Sequence, residues 1–491
     1  MCLRRLGEAV IAFVLATASF AAAGSDTRLA DAAEERDATG TRALIQQGAD
    51  VNAPQPDGMT ALHWAAWRDD LELAKALVGA GADVKAPNRY RVTPLSLACI
   101  NGNGAMVELL LEAGADPNTA LPAGETALMT AARTGKIGPV KALLASGADV
   151  NHKDSHRGQT ALMWAAAEGH TEVVETLIEA GADFRTPVDS GFSPLFFAVR
   201  EGRIGVVRAL LKAGADVNET IQPQGGRRAR VRAGTSALLL AAVNAHFELA
   251  GLLLEAGADP NADLPGYMVL HAMAPVRKPG VGDNDPPPEG SGNMNSLEFV
   301  RKLAEHGANL NARMTKNVNL GNTRLNKLGA TPFFLAAQSA DAELMRTLAE
   351  LGADPLLTNE DTSTPLMAVT GIGTRSPGED AGTEDEVLEA VQVALDLGND
   401  INAVDNHGET AMHGAAYKNL PKVVEFLAEK GAKIEIWNKK NEFGWTPLTI
   451  ADGYRFGNFK PSPVTVEAIL RVMAAAGVPA VREPAQLREI Y

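Results

Sequence analysis

The chain has 491 residues, 46% hydrophobic and 21% charged, the balance of a folded globular protein rather than a disordered one. With 45 basic against 60 acidic side chains its net charge is −15, which argues against a general binder of nucleic acid or other polyanions. Two cysteines, Cys2 and Cys99, leave no disulfide framework and no thiolate zinc cluster.

The first element is a targeting segment. Arg4 and Arg5 precede an apolar run from Val10 to Ala23, and Ala21-Ala22-Ala23 offers the small residues of a signal cleavage site. The run is short of the about 20 residues that span a bilayer. A cleaved signal over residues 1–23 is expected, leaving a mature chain of net charge −16 without stable membrane insertion. That chain would be periplasmic or secreted and would carry one unpaired thiol, Cys99.

Two phrases then recur in fixed phase. Gly-Ala-Asp begins at Gly48, Gly81, Gly114, Gly147, Gly181, Gly214, Gly257 and Gly352, with weaker copies at Gly307, Gly398, Gly431 and Gly477. A Thr or Ser before a small-apolar stretch stands at Thr60, Thr93, Thr126, Thr160, Ser193, Ser236, Thr331, Thr364, Thr410 and Thr446, with Met268 in register and Thr27 opening a degenerate first copy. Each unit reads as two short helices. The Thr is an N-cap, Pro94, Pro194, Pro332, Pro365 and Pro447 suit the first helical position, and a Gly such as Gly135 or Gly169 turns the chain back. Val173, Val174, Leu177 and Ile178 give the second helix one apolar face, and Gly181 ends it. Such a pair cannot bury its own core, so neighbours must stack.

In these phrases, most fully in Gly58-Met-Thr-Ala-Leu-His-Trp-Ala-Ala and in residues 169–183, the chain resembles the ankyrin repeat family across residues 25–477, as twelve repeats. The resemblance implies an all-α, ankyrin-repeat α-solenoid with β-hairpin fingers, a curved rod of about 100 Å at 8–10 Å between stacked helices. Residues 24–219 read as the regular repeats one to six with an N-terminal cap, residues 220–477 as repeats seven to twelve, and 478–491 as a tail.

The irregularity lies after residue 214. The Thr-to-Gly distance is 21 residues in a regular copy but 39 at Met268–Gly307, 34 at Thr364–Gly398 and 31 at Thr446–Gly477, which places insertions between the two helices. The Gly-to-Thr distance, normally about 12, is 22 at Gly214–Ser236, 24 at Gly307–Thr331 and 15 at Gly431–Thr446, which lengthens fingers. The insertions therefore fall at 219–234, 275–295, 310–330, 371–386 and 453–463. Those between helices are expected to emerge from one edge of the array, and insertions of this kind often map to a binding face.

No catalytic constellation, cofactor motif or metal site stands out: there is no Gly-rich phosphate loop, nucleophile elbow or zinc-protease helix. His63, His271 and His413 each follow a capping position by three, where the resemblance implies a structural bond back to the cap. His152 and His156 fall in a finger, and Cys99 sits among core residues. Asp283-Asn-Asp285 lacks the Gly and Glu of a calcium loop, and Glu384, Asp385 and Glu386 suit a helix N-terminus. Arg227, Arg228, Arg230 and Arg232 form a basic patch better suited to solvent or an acidic protein surface than to nucleic acid.

The family's geometry places partners on the concave face, at finger tips and at the seventh and eighth residues after each cap. Carried over by phase, this selects Trp67, Arg68, Arg133, Arg200, Tyr417 and Lys418, with Arg89, Tyr90, Phe443 and Trp445 from fingers. Five of the chain's 24 aromatics crowd into residues 443–459, namely Phe443, Trp445, Tyr454, Phe456 and Phe459, as a docking loop or a plug over the end of the core. The expected function is a monomeric, non-catalytic scaffold that binds another envelope protein. The competing reading is a small-ligand or metal site in the C-terminal insertions, with hydrolytic activity.

Overall fold

A computed structural model describes residues 26–223, 232–263, 265–280, 288–318, 323–455 and 460–481. The expected signal segment, Arg227, Arg228 and Arg230, Asp283 to Asp285, and Phe456 and Phe459 lie outside the described residues.

Among the described residues there are twenty-five helices. One, Ile434–Trp437, is a single turn; the rest form twelve antiparallel pairs, from Arg28–Glu34 with Ala38–Gln46 to Pro447–Ala451 with Pro463–Ala475. The cap residues behave as their chemistry dictates. Thr93, Thr126, Thr160, Thr331, Thr364 and Thr446 each accept a hydrogen bond from the backbone N–H three residues on. Between the helices the chain passes through the left-handed region, at Gly135 (φ 72°) and at Asn419 (φ 59°). Gly135 is constrained twice over, since a β-carbon there would also meet the His170 ring at 2.4 Å.

The chain divides into two compact parts. One ends at Ala213; the other begins at Gly214 and also takes in Ser190–Phe192. Within each part the first helices pack on the first helices of neighbouring repeats, and second helices on second helices. Their Ala-rich contact faces, Ala65 and Ala66 in repeat two and Ala165 and Ala166 in repeat five, are fully buried and let the helices approach closely.

The fingers differ from the expected β-hairpins. No strand occurs among the described residues, only isolated bridges such as Ala120 with Thr126. Each finger is a turn closed by one or two backbone bonds, as from Gln55 N–H to Met59 O (2.8 Å) and from Asn88 N–H to Val92 O (2.9 Å). Too few residues flank each turn to extend a ladder, and N–H groups of the turn bond the preceding finger instead, as from Arg89 to the Asp57 carbonyl (2.8 Å). A side-chain ladder adds to this: Asn52, Asn118, Asn151, Asn218, Asn261 and Asn402 each accept from a backbone N–H of the following repeat and donate to its glycine carbonyl. The signal for it was present, an Asn two residues after five of the eight Gly-Ala-Asp phrases.

Candidate functional site

The three histidines after capping positions are structural, as the resemblance implied. His63 Nδ1 accepts from the Thr60 N–H (3.2 Å) and its Nε2 faces the Val92 carbonyl (3.1 Å). His271 and His413 repeat the arrangement towards the Ala312 and Lys439 carbonyls. Burial pushes both down to about 4, so each is a neutral imidazole tying a cap to the next finger. Cys99 is fully buried and burial pushes its thiol up to about 12, which makes it inert packing.

In the N-terminal part the sites chosen by phase are open. Trp67 is half-buried, Arg68, Arg89 and Arg133 are exposed, Arg200 is half-buried and Tyr90 is 50% exposed. The arginines are not loose. The guanidinium of Arg68 lies 5.6 Å from the Trp64 ring centre, Arg133 lies 5.0 Å from Trp164, and Arg200 lies 5.4 Å from Phe197. Each ring stands four residues after its cap, so three first helices present a cation already seated on an aromatic face. Arg89 is stapled to the previous finger by its bond to the Pro56 carbonyl (2.5 Å).

In the C-terminal part the same phase gives the opposite result. Tyr417 is 1% exposed, Lys418 6% and Trp445 8%, which corrects the expectation that these three are surface anchors. The cause is the insertions between helices. The segment between Pro365–Thr370 and Glu384–Asp396 lies over Lys418, whose ammonium donates to the Ala381 carbonyl (2.6 Å). The segment before Pro463–Ala475 sends Arg455 onto the Tyr417 carbonyl and the Asn419 side chain (2.8 Å). Below, the Tyr417 hydroxyl donates to Glu409 (2.8 Å), which also accepts from Asn441 (2.8 Å). Burial, with Asp405 nearby, pushes Glu409 up to about 7 against those two bonds. Trp445 is covered through the same finger, its ring 5.4 Å from that of half-buried Phe443 and tilted to it by 37°. Tyr454 is half-buried.

The insertions also hold one another instead of standing free along an edge. Arg324 N–H donates to the Gly373 carbonyl (2.9 Å), and Lys460 reaches the Pro377 carbonyl (3.1 Å). Lys278 binds Glu386 (2.6 Å) and the Ala340 carbonyl (3.3 Å). The Lys278 ammonium, then the Thr383 N–H, hold Glu386 down at about 2. Glu384 to Glu386 thus open a helix capped by Thr383, as their acidity suggested. Arg277 clamps Asp341 (2.6 Å) and Glu343 (2.8 Å), so the start of the repeat-eight insertion is fastened to repeat nine. Sequence spacing located these insertions but carried no mark of what they cover.

At the fingers of repeats ten to twelve His407 lies between Asp361 (3.3 Å) and Glu442 (2.8 Å). Against burial, which lowers it, these carboxylates raise His407 to about 8. Among the described residues no three His, Cys, Asp or Glu side chains come together as a metal site. No helix among them is long and apolar enough to cross a membrane.

The family described as ankyrin repeats matches residues 29–121, 70–154, 128–221 and 381–455, and the single ankyrin repeat matches 233–263. The chain belongs to the ankyrin repeat family. Among curated proteins it is 25% identical over 225 residues to an ankyrin repeat domain-containing protein, SAT10, of Stachybotrys chartarum, covering 43% of this chain and 11% of that one. It is 29% identical over 157 residues to glycerophosphocholine phosphodiesterase GDE1 of Candida albicans, over 32% of this chain and 12% of that protein. A 50-residue stretch is 46% identical to a putative ankyrin repeat protein, FPV219, of fowlpox virus, over 10% of this chain and 12% of that one. The chain thus matches only about an eighth of the length of each of these relatives. An ankyrin array is a protein-interaction scaffold, and the two parts of this one offer very different surfaces.

Proposed function

We propose that the protein is an exported, monomeric, non-catalytic scaffold that holds a second envelope protein against the first-helix face of its N-terminal repeats. The observation that carries this is the recurrence of Arg68, Arg133 and Arg200 on aromatic rings, beside Trp67 and Tyr90, on a face that nothing in that part covers. Arginine and aromatic side chains are the usual anchors of protein interfaces. A guanidinium already seated on a ring has less motion to lose on binding. Export rests on the basic start, apolar run and Ala21-Ala22-Ala23 of the sequence. A non-catalytic role is supported by the absence of any catalytic motif from the sequence; the phosphodiesterase relative shares only a short stretch with this chain.

The test is affinity capture from an envelope extract with residues 24–491, beside a variant carrying Trp67→Ala, Arg68→Ala, Arg133→Ala and Arg200→Ala. One protein retained by the native chain, released by the variant and rebound after purification supports the reading. A partner held equally by both would move the interface elsewhere. Fractionation of cells tests export, and recovery of an uncleaved chain from the cytoplasm overturns it.

A further inference from the structure

Under the insertion layer of the C-terminal part, on repeats other than those that carry the surface assigned above, lies a cavity of about 60 Å³. Its walls come from repeats eight to eleven, and they include Lys418 and Asp380, with Thr374, Gln338, Lys278 and Leu335 around them. On the scale where one water needs roughly 10–15 Å³ of such space, it accommodates about four to six water-sized groups.

The charged side chains in that wall are Lys278, Lys418, Asp380 and Glu379, the last of them exposed to solvent. Lys278 is neutralised by its ion pair with Glu386. Lys418 is buried, yet among the described residues its ammonium makes one hydrogen bond, to the neutral Ala381 carbonyl, with no carboxylate at ion-pair distance. Asp380 takes the Thr374 hydroxyl on one oxygen, Oδ2, and leaves the other without a described donor. Burial pushes Lys418 below the usual lysine range and Asp380 above the usual carboxylate range, each the mark of a charge whose lost hydration is only partly replaced. A buried ammonium with one neutral acceptor and a half-buried carboxylate with one oxygen lacking a described donor, bordering one small space but not within ion-pair distance, describe the complement of a molecule that carries both charges.

We propose that this cavity binds a small zwitterion of the amino-acid class, its carboxylate on the Lys418 ammonium and its ammonium on Asp380. Glycine, with five non-hydrogen atoms, matches the space. Among the other polar wall groups the Gln338 amide can donate to the same carboxylate, and Leu335 offers an apolar surface to the α-carbon. The site is a feature of the insertions, because Asp380 and the carbonyl that holds Lys418 both belong to the extra segment of repeat ten.

The experiment is isothermal calorimetry of the full mature chain with glycine, acetate and methylammonium, repeated on Asp380→Asn and Lys418→Met. Glycine is expected to bind one to one. Acetate and methylammonium, each lacking one charged contact, should bind at least about tenfold more weakly. Both substitutions should remove glycine binding. Asp380→Asn keeps an oxygen for the Thr374 hydroxyl, so it decides the matter even if Lys418→Met fails to fold. No heat with glycine, or acetate binding as tightly as glycine, overturns the proposal and leaves a water-filled or simple anion cavity. Loss of partner capture in the N-terminal variant would not bear on it.

Discussion

Trp67 in repeat two and Tyr417 in repeat eleven both stand seven residues after a capping threonine, at the end of a first helix whose body is small and apolar. Trp67 is half-buried on an open face, while Tyr417 is enclosed by Arg455 above and by Glu409 and Asn441 below. Equivalent positions in a repeat array therefore need not be equivalent surfaces. Where a helix pair and its neighbours all have links of two or three residues, as around Trp67, the helix end meets solvent. Where a neighbouring repeat has a link of about a dozen residues, as on both sides of Tyr417, that link folds over the adjacent helix end and takes the place a partner would occupy.

That contrast can be broken most sharply at Tyr417 itself. Tyr417→Ala removes a fully enclosed ring and strips Glu409 of a donor, and it should cost about 4 kcal/mol in chemical denaturation. Trp67→Ala should cost under about 1 kcal/mol. Similar losses from the two would mean that both helix ends are buried in solution.

Glu409 sharpens the comparison through pH. Its folded value, about 7, lies above the ordinary 4.5, so the buried carboxylate opposes folding increasingly as pH rises from 4.5 and fully above 7. Glutamine keeps an oxygen for the Tyr417 and Asn441 donors. Glu409→Gln should thus stabilise the chain by about 2 to 3 kcal/mol at pH 8 and by almost nothing at pH 4. A pH-independent effect would show that burial of the charge is not the cause.

The buried histidine of the same repeat acts in the other direction. His413 is depressed to about 4, so its contribution is fully present above 6.5 and is lost as pH falls from 6.5 towards 4. At pH 5 the loss is about 2 kcal/mol relative to pH 7. Replacement by glutamine should remove that part of the pH dependence, whatever it does to stability at pH 7. An unchanged slope would place the proton uptake elsewhere.

The smallest effect is expected on the open face. Arg68→Ala, Arg133→Ala and Arg200→Ala should each shift stability by no more than about 0.5 kcal/mol, because their ion pairs and stacking are largely solvated. Together they should nevertheless abolish partner binding. A large drop in melting temperature would make these arginines part of the fold.

Much of this architecture was legible before any coordinates. The Thr caps, the apolar pattern of residues 173–178 and the glycines after each second helix specify paired short helices locally, through hydrogen bonds and backbone conformations that reach only a few residues. Twelve copies in phase then require stacking, since no pair closes a core by itself. The histidine at His63, His271 and His413 was equally readable, because its partner lies three residues away. The lengths of the insertions, too, could be counted from the register.

The tertiary structure alone decided where those insertions go. Lys418 meets Ala381 across 37 residues and Arg455 meets the Tyr417 carbonyl across 38, contacts that leave no periodic trace in the chain. Phase could therefore say which positions point towards the first-helix face but not which of them remain open. The fingers show the same division: their turn residues were evident, yet whether a ladder forms depends on the neighbouring finger competing for the same N–H groups. Local hydrogen-bond chemistry wrote the repeat into the sequence; packing between distant segments determined what the repeat presents.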